Sequence, residues 1–128
     1  MEPRKVLVAD DEVHIVQVVA MKLRNNGFEV VTAQSGTEAY EVCCQENPDV
    51  IVTDFQMPGM DGIQLIEKIR ENADLQQMPI IMLTARGFAI DDELKQKLQI
   101  SECLSKPFSP KELLGHVEGV LLSSTVTN

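Results

Sequence analysis

Five polar residues of this sequence follow directly on short apolar runs, where the strands of a buried sheet would end. They are Asp10, Asp11, Asp54, Thr84 and Lys106. If the fold brings them together, the three carboxylates need a counter-charge, because two like charges ~4 Å apart repel by roughly 4 kcal/mol at an effective dielectric near 20. The sequence therefore predicts a charged site that requires a positive partner.

A hard cation suits these carboxylates because they offer only oxygen ligands. Mg²⁺ prefers octahedral oxygen coordination and keeps several waters, so one or two carboxylates, a backbone carbonyl and a phosphate oxygen would complete its shell. Lys106 adds a second positive charge, and the Thr84 hydroxyl can donate to an oxygen. Such a site suits a phosphoryl group carried on a carboxylate.

Strands and helices must alternate to position these residues. Short apolar runs bounded by polar or turn residues indicate strands buried on both faces of a parallel sheet. The runs lie at residues 5–9, 29–33, 49–53 and 79–83, with a weaker fifth at 102–105. All except the second end at the polar residues above, so four strands deliver polar side chains to one edge.

Amphipathic spacing and capping signals predict helices between the strands. The first helix has an apolar stripe at i, i+3, i+4 and i+7, and the "NNG" at 25–27 would end it. "SGTE" at 35–38 and "SPKE" at 109–112 are capping boxes, and Asp61 can cap the third helix. A fourth helix near residues 89–98 has one apolar stripe with charges elsewhere, which predicts the least deeply buried helix.

Five β/α units in 128 residues predict an α/β fold with an open, doubly wound sheet and right-handed crossovers. A closed eight-unit barrel needs about 250 residues. In open sheets of this kind, ligands bind beyond the carboxyl ends of the strands, where the strand order reverses. The polar strand ends are therefore the candidate site.

Composition limits the classes of function. The chain fits one domain, and its 44% hydrophobic residues suffice for one core. A net charge of −9 argues against direct nucleic-acid binding, which needs clustered Lys and Arg. The start "MEPRKVLVADDE" is neither a signal peptide nor a membrane span, so we expect a cytoplasmic protein. Cys43, Cys44 and Cys103 lack disulfide or zinc spacing, which predicts buried, reduced thiols.

Each candidate residue also has a simpler structural interpretation. Asp10 or Asp11 could be only the N-cap of the first helix. Thr84 could be a β-branched strand end, and Lys106 could be a solvated surface charge. Their shared position at one edge of the sheet favours a site over these separate roles.

Four fragments resemble the receiver domain of two-component response regulators, the CheY-like superfamily. They are "VLVADDE", "VIVTDFQMPGMDG", "IIMLTA" and "LSKPFSPKEL", and the match runs in order from about residue 4 to residue 122. The resemblance implies a flavodoxin-like fold, with a five-stranded parallel sheet in the order 2-1-3-4-5 and five helices. It also implies phosphoryl transfer from a phosphohistidine of a sensor kinase to one aspartate.

Carried over to this sequence, the family's pattern assigns Asp54 as the phosphoacceptor. Asp10, Asp11 and Asp54 would hold Mg²⁺, and the backbone carbonyl of Gln56 would be a further ligand. The domain would speed its own phosphorylation and dephosphorylation without turning over an outside metabolite. The resemblance therefore implies a signalling module and not an enzyme.

The resemblance also implies roles for Thr84 and Lys106, which would contact the phosphoryl oxygens. The Lys106-Pro107 bond would be cis. The implied partners are a sensor histidine kinase or phosphotransfer protein and a downstream protein target, with a dimer formed on phosphorylation as a further expectation. Neither nucleic acid nor membrane is an expected direct partner.

Two other classes of function compete with a signalling module. A Mg²⁺-dependent phosphohydrolase with an aspartyl nucleophile, similar to haloacid-dehalogenase-like enzymes, would show a DxD pattern after a strand, but Gln56 stands at the second acidic position. A receiver-like scaffold that signals without phosphate would usually lack an acidic or lysine position of the site. None of these positions is lost here.

Two positions depart from the family's pattern. Gln99-Ile100 stands where many receivers have Gly-Ala, so we expect the fourth helix to end differently. Cys103 stands where receivers usually place Tyr or Phe, so we expect output coupling to depend more on Thr84. The receiver domain is expected to span 1–122, with a polar tail at 123–128, as a stand-alone receiver or part of a larger protein.

Overall fold

The computed structural model describes residues 3–85 and 90–126. Five strands alternate with five helices in this part of the chain: β1 (Lys5–Ala9), α1 (Val13–Asn25), β2 (Glu29–Ala33), α2 (Gly36–Glu46), β3 (Val50–Asp54), α3 (Gly62–Glu71), β4 (Ile80–Thr84), α4 (Asp92–Lys97), β5 (Glu102–Ser105) and α5 (Pro110–Val126). The strands form one parallel sheet in the order β2-β1-β3-β4-β5. The α/β doubly wound fold and its strand order are therefore confirmed.

The third and fourth strands each begin and end one residue later than the sequence pattern predicted. The carboxylate of Asp49 accepts the backbone N–H of Lys5 at 2.7 Å, so this residue serves as a side-chain anchor before β3. At the other end, the N–H of Phe55 donates to the carbonyl of Leu83 at 2.9 Å. The ladder therefore holds Asp54 in place as the last residue of its strand.

The sheet is covered on both faces, which explains why its strands are continuously apolar. One face packs against α1 and α5, and the other packs against α2, α3 and the apolar residues around α4. Every residue of β3 and β4 is buried. No residue of α4 itself is buried, which agrees with the shallow placement predicted for this helix.

Reciprocal capping bonds start α3 and α5. Ser109 Oγ accepts the N–H of Glu112 at 3.0 Å, and Glu112 Oε1 accepts the N–H of Ser109 at 3.1 Å. Asp61 and Gln64 make the same exchange at the start of α3. The side chain of Ser35 also caps α2, but Glu38 Oε1 accepts the N–H of Gln34 and not of Ser35, so the predicted box at 35–38 is only half formed. These local contacts confirm the helix starts predicted from the sequence.

The end of α4 is held from another helix. Gln99 adopts a left-handed backbone conformation with φ 55°. Glycine is the residue that usually occupies this conformation. Arg70 of α3 donates from Nε to Leu98 O at 2.9 Å and from Nη2 to Gln99 O at 3.0 Å. Its Nη1 donates to the carbonyls of Gln76 and Met78, both at 2.8 Å. One charged side chain therefore bonds four carbonyls and stabilises the unusual turn.

Smaller features give mixed outcomes. The Lys106-Pro107 bond is cis, as the resemblance implied. The three cysteines are free thiols, with Cys43 buried, Cys103 half-buried and Cys44 exposed. The prediction of buried thiols is therefore confirmed for Cys43 and wrong for Cys44. The predicted start of the fourth helix at residue 89 lies outside the described residues. None of the helices in the described ranges is long and apolar enough to cross a membrane.

Candidate functional site

The carboxyl ends of four strands meet at one edge of the sheet. In chain order they carry the five residues predicted from the sequence: Asp10 and Asp11 after β1, Asp54 at the end of β3, Thr84 at the end of β4, and Lys106 after β5. The strand order reverses beside β1, which has β2 on one side and β3 on the other. Open parallel sheets bind ligands at this switch point.

The three aspartates form one carboxylate cluster. One oxygen each from Asp10, Asp11 and Asp54 lies within 4.8 Å of the others. Asp10 is fully buried and Asp54 is 7% exposed, whereas Asp11 is exposed. The cluster is therefore reached from solvent at Asp11, which suits the entry of a hydrated ion.

Asp10 leaves one buried oxygen without an aligned donor. Its Oδ1 accepts the N–H of Glu12 at 2.9 Å. Its Oδ2 lies 2.9 Å from Lys106 Nζ, but it accepts no hydrogen bond from the part of the chain described here, so this contact is a charge attraction without hydrogen-bond alignment. The N-cap of α1 is Glu12, which makes no side-chain cap bond. The alternative that Asp10 or Asp11 caps α1 is therefore wrong, and the buried carboxylate oxygens of Asp10 are of the kind that a hard cation binds.

Lys106 supplies positive charge to the cluster. Its Nζ lies 2.9 Å from Asp10 Oδ2, 3.0 Å from Glu12 Oε1 and 3.4 Å from Asp54 Oδ1. Its side chain is only 17% exposed, so the interpretation as a solvated surface charge is wrong. The backbone N–H of Lys106 donates to Thr84 O at 2.8 Å. This bond ties the lysine to the end of β4.

Burial controls the ionisation of the site. Burial and, after it, the Asp10 carboxylate raise the pKa of Asp54, Lys106 opposes them, and the net result is a pKa of about 6. Burial also raises the pKa of Asp10 above its ordinary value. Burial lowers the pKa of Lys106, but its contacts with Asp10 and Glu12 outweigh this and leave the pKa above its ordinary value. The lysine is therefore a permanent cation, whereas ionised Asp54 is held at a cost in free energy.

A cavity of about 140 Å³ gives access to Asp54. Its lining residues are Glu12, Asp54, Phe55, Gln56, Ala85 and Lys106. Gln56 thus lies beside the carboxylate cluster, where the resemblance places a ligating carbonyl. Thr84 is 3% exposed and directly precedes Ala85 of the cavity wall. The space beside Asp54 suits a small group more than a large metabolite.

Close packing fixes the loop after β3 against this cavity. A Cβ on Gly62 would lie 2.5 Å from the carbonyl oxygen of Asp54, and the N–H of Gly62 donates to Phe55 O at 2.9 Å. A Cβ on Gly36 would lie 2.0 Å from the carbonyl oxygen of Met60. A larger residue at either position would displace the loop. The glycine that ends "MPGMDG" therefore positions the backbone around Asp54 as well as starting α3.

Glu12 is the site residue that the sequence reasoning missed. Its Oε1 accepts a hydrogen bond from Lys106 Nζ at 3.0 Å, across 94 positions of sequence. The available signal was its place as the third acid of "ADDE", directly after the predicted metal pair. Sequence spacing could not show which of these acids meets the lysine.

The family model of the response regulator receiver domain matches residues 6–118. The chain therefore belongs to the response regulator receiver domain family, whose members are signalling domains. The fold and the acidic pocket described above are those of this CheY-like class.

Solved structures of other receivers are similar over nearly the whole chain. The chemotaxis response regulator CheY4 of Vibrio cholerae has 33% sequence identity and a TM-score of 0.85, covering 92% of this chain and 98% of that chain. The receiver domain of the Francisella response regulator 1452 has 35% identity and a TM-score of 0.84, covering 94% and 98%. A receiver domain protein of Clostridium thermocellum has 29% identity and a TM-score of 0.86, covering 98% and 99%.

Proposed function

We propose that this protein accepts a phosphoryl group on Asp54 and signals by a change of conformation. The observation that carries the proposal is the buried Asp54 carboxylate, which lines a small cavity and lies 3.4 Å from the ammonium of Lys106. The donor would be the phosphohistidine of a sensor histidine kinase or of a phosphotransfer protein. Membership of the receiver family supports this assignment.

Asp54 would act as the nucleophile. A bond would form between one of its carboxylate oxygens and phosphorus, while the bond from phosphorus to the donor nitrogen breaks and leaves its electron pair on the imidazole. The N–H of Phe55 donates to Asp54 Oδ1 at 3.0 Å, which fixes the carboxylate plane before the donor arrives. Fixed placement matters because phosphoryl transfer depends mainly on positioning and charge stabilisation.

The carboxylate cluster would hold Mg²⁺ through Asp10, Asp11 and Asp54, with the Gln56 carbonyl as a further ligand. When bound, Mg²⁺ would neutralise charge on the transferring phosphoryl group. The buried Asp10 Oδ2 without an aligned donor supports this ligand set. The same arrangement would serve self-catalysed phosphorylation and dephosphorylation.

Lys106 and Thr84 would bind the phosphoryl group and so respond to phosphorylation. The ammonium of Lys106 would bind a phosphoryl oxygen, and the Thr84 hydroxyl would donate to another. The 2.8 Å bond from Lys106 N to Thr84 O joins the two residues through the backbone. A shift at the phosphoryl group would therefore reach the carboxyl ends of β4 and β5 together, and a downstream target would recognise the neighbouring face of α4, β5 and α5.

A donor protein would dock where α1 meets the cavity. This helix exposes Val13, Val18 and Met21, at 45%, 49% and 64%. Val13 directly follows Glu12 of the cavity wall. Exposed apolar side chains of this kind favour protein contacts. We assign residues 1–122 to the receiver unit and 123–128 to a tail, which would begin within α5 because this helix runs to Val126.

Acetyl phosphate tests the proposal. With Mg²⁺ present, intact mass should show one added phosphoryl group, which hydroxylamine removes because it is an acyl phosphate. Asp54→Asn should gain none. Asp49→Asn is the matched control, because Asp49 precedes the same strand at its opposite end.

Three outcomes would contradict this function. An equal labile group on Asp54→Asn would refute the acceptor assignment. Steady phosphate release from varied phosphomonoesters would favour the hydrolase class. A folded wild-type protein that gains no phosphoryl group would favour the phosphate-independent scaffold.

A further inference from the structure

We infer that Glu12 is a positioning residue that holds Lys106 in the resting site and yields its place to the phosphoryl group. The inference rests on the proposed phosphorylation of Asp54. Glu12 lines the cavity beside Asp54 and immediately precedes α1. Its side chain thus lies beside the space that an incoming anion would occupy.

The contacts of Lys106 identify a competition for its ammonium. An ammonium has three N–H donors, and Nζ lies within 3.4 Å of three carboxylates, those of Asp10, Glu12 and Asp54. Of these contacts, the one to Glu12 Oε1 has hydrogen-bond geometry. A phosphoryl oxygen that binds Lys106 must therefore compete with these three carboxylates for the ammonium.

Glu12 is the partner that costs least to replace. Asp10 is fully buried, and its Oδ1 is fixed by a 2.9 Å bond from the N–H of Glu12. Asp54 is the acceptor itself. The Glu12 side chain is 47% exposed, so its released carboxylate would return to water without the desolvation cost that a buried charge carries.

Electrostatic repulsion between Glu12 and an incoming anion adds to the competition for Lys106. Glu12 places a fourth carboxylate beside one lysine and three aspartates. An anionic phosphodonor is repelled by this carboxylate as it approaches, and it must also displace the carboxylate from Lys106. Loss of the Glu12 contact should therefore favour any anion that binds beside Asp54.

Beryllofluoride, an acyl-phosphate mimic, can measure this competition with the full chain in Mg²⁺. Glu12→Gln removes the charge, whereas Glu12→Asp keeps the charge but shortens the side chain so that it no longer reaches Lys106. Glu46→Gln is the matched control, because Glu46 Oε1 pairs with Lys5 Nζ at 2.8 Å and is 41% exposed, at the opposite end of the sheet. Amide chemical shifts measured during a beryllofluoride titration give the dissociation constant. The side-chain signals of Lys106 show whether its ammonium contacts a carboxylate or beryllofluoride.

We expect Glu12→Gln to lower the beryllofluoride dissociation constant about 1.5-fold to fivefold, the range for a partly exposed ion pair. Glu12→Asp should also lower the beryllofluoride dissociation constant, and Glu46→Gln should leave it unchanged. In the free Glu12→Gln variant, the Lys106 side-chain signals should move toward those of the wild-type beryllofluoride complex. Acetyl phosphate should also phosphorylate both Glu12 variants faster.

The outcomes that overturn the inference are distinct from those that overturn the proposed function. If Glu12→Asp binds beryllofluoride like the wild type, Glu12 acts through general repulsion and does not hold Lys106. If Glu12→Gln alone loses about tenfold in Mg²⁺ affinity, a fall typical of lost metal-site support, Glu12 belongs to the metal site. If the wild type binds no beryllofluoride with Mg²⁺, the proposed function itself fails. Should Glu12→Gln not fold, Glu12→Asp decides the question.

Discussion

Asp54 combines two properties that oppose each other in a buried residue. As a nucleophile it must be ionised, yet burial and the neighbouring Asp10 raise its pKa from 3.8 to about 6. Lys106 limits the rise, because its ammonium lies 3.4 Å from Asp54 Oδ1. At neutral pH the protein therefore holds a charge that the fold alone does not favour, and a bound cation or a phosphoryl group would relieve this cost.

The pH dependence of unfolding should reveal this cost. Between about pH 4 and pH 6, folded wild-type protein retains a proton on Asp54 that the unfolded chain has released. The stability that Asp54 contributes is thus complete below this window and is lost as the pH rises through it. Asp54→Asn avoids the loss, so its free energy of unfolding relative to wild type should grow by about 1–3 kcal/mol from pH 4 to pH 7.

Urea unfolding in EDTA would measure this difference without bound metal. Asp74→Asn, an exposed change away from the site, is the control, and its difference from wild type should not grow over the same range. A difference for Asp54→Asn that stays constant or shrinks with rising pH would contradict the assigned cost of ionisation.

At the scale of elements, local signals predicted most boundaries, and long-range contacts account for the rest. Reciprocal caps such as Ser109 with Glu112 lie within a few residues, so the sequence shows them. The end of α4 depends on Arg70, which is 29 positions from Gln99. The meeting of Glu12 with Lys106 likewise depends on the folded sheet. The strand ends predicted the acidic cluster, whereas tertiary geometry was needed to find Glu12.

Output through α4 should depend more on Thr84 than on Cys103. Thr84 is 3% exposed at the end of β4, and its neighbour in the register is Ser105 of β5. Cys103 packs against the core cluster that also contains the apolar residues around α4, but its side chain is small and has one rotatable bond to sulfur, so its rotamers change the surface little. Thr84→Ala should therefore reduce the beryllofluoride-induced amide shift changes in α4 more than Cys103→Ala does.

Ser105→Ala provides the matched loss of a hydroxyl from the strand end paired with Thr84. It should leave the shift changes in α4 close to those of the wild type. An equal or larger loss from Cys103→Ala would show that the thiol is a working switch and that the argument from side-chain size is wrong.

At the scale of the whole molecule, acidic side chains outnumber the lysine that faces them at each end of the sheet, and most strongly at the carboxyl end. At the amino end, Lys5 pairs with Glu29 and Glu46. At the carboxyl end, Lys106 faces Glu12 and the three clustered aspartates, within a chain of net charge −9. Only the folded chain brings these acids together, so a divalent cation bound there would stabilise the folded state.

Mg²⁺ should therefore raise the free energy of unfolding by about 2.7 kcal/mol at a hundredfold excess over its dissociation constant. In a domain of this size the melting temperature would rise by roughly 10 °C. Asp11→Asn should weaken the response, because it removes the exposed carboxylate of the cluster. Asp74→Asn, an exposed change outside the cluster, should respond like the wild type. A melting temperature that does not change in millimolar Mg²⁺ would exclude this cluster as the magnesium site. A Mg²⁺-induced rise that is undiminished in Asp11→Asn would exclude it as well.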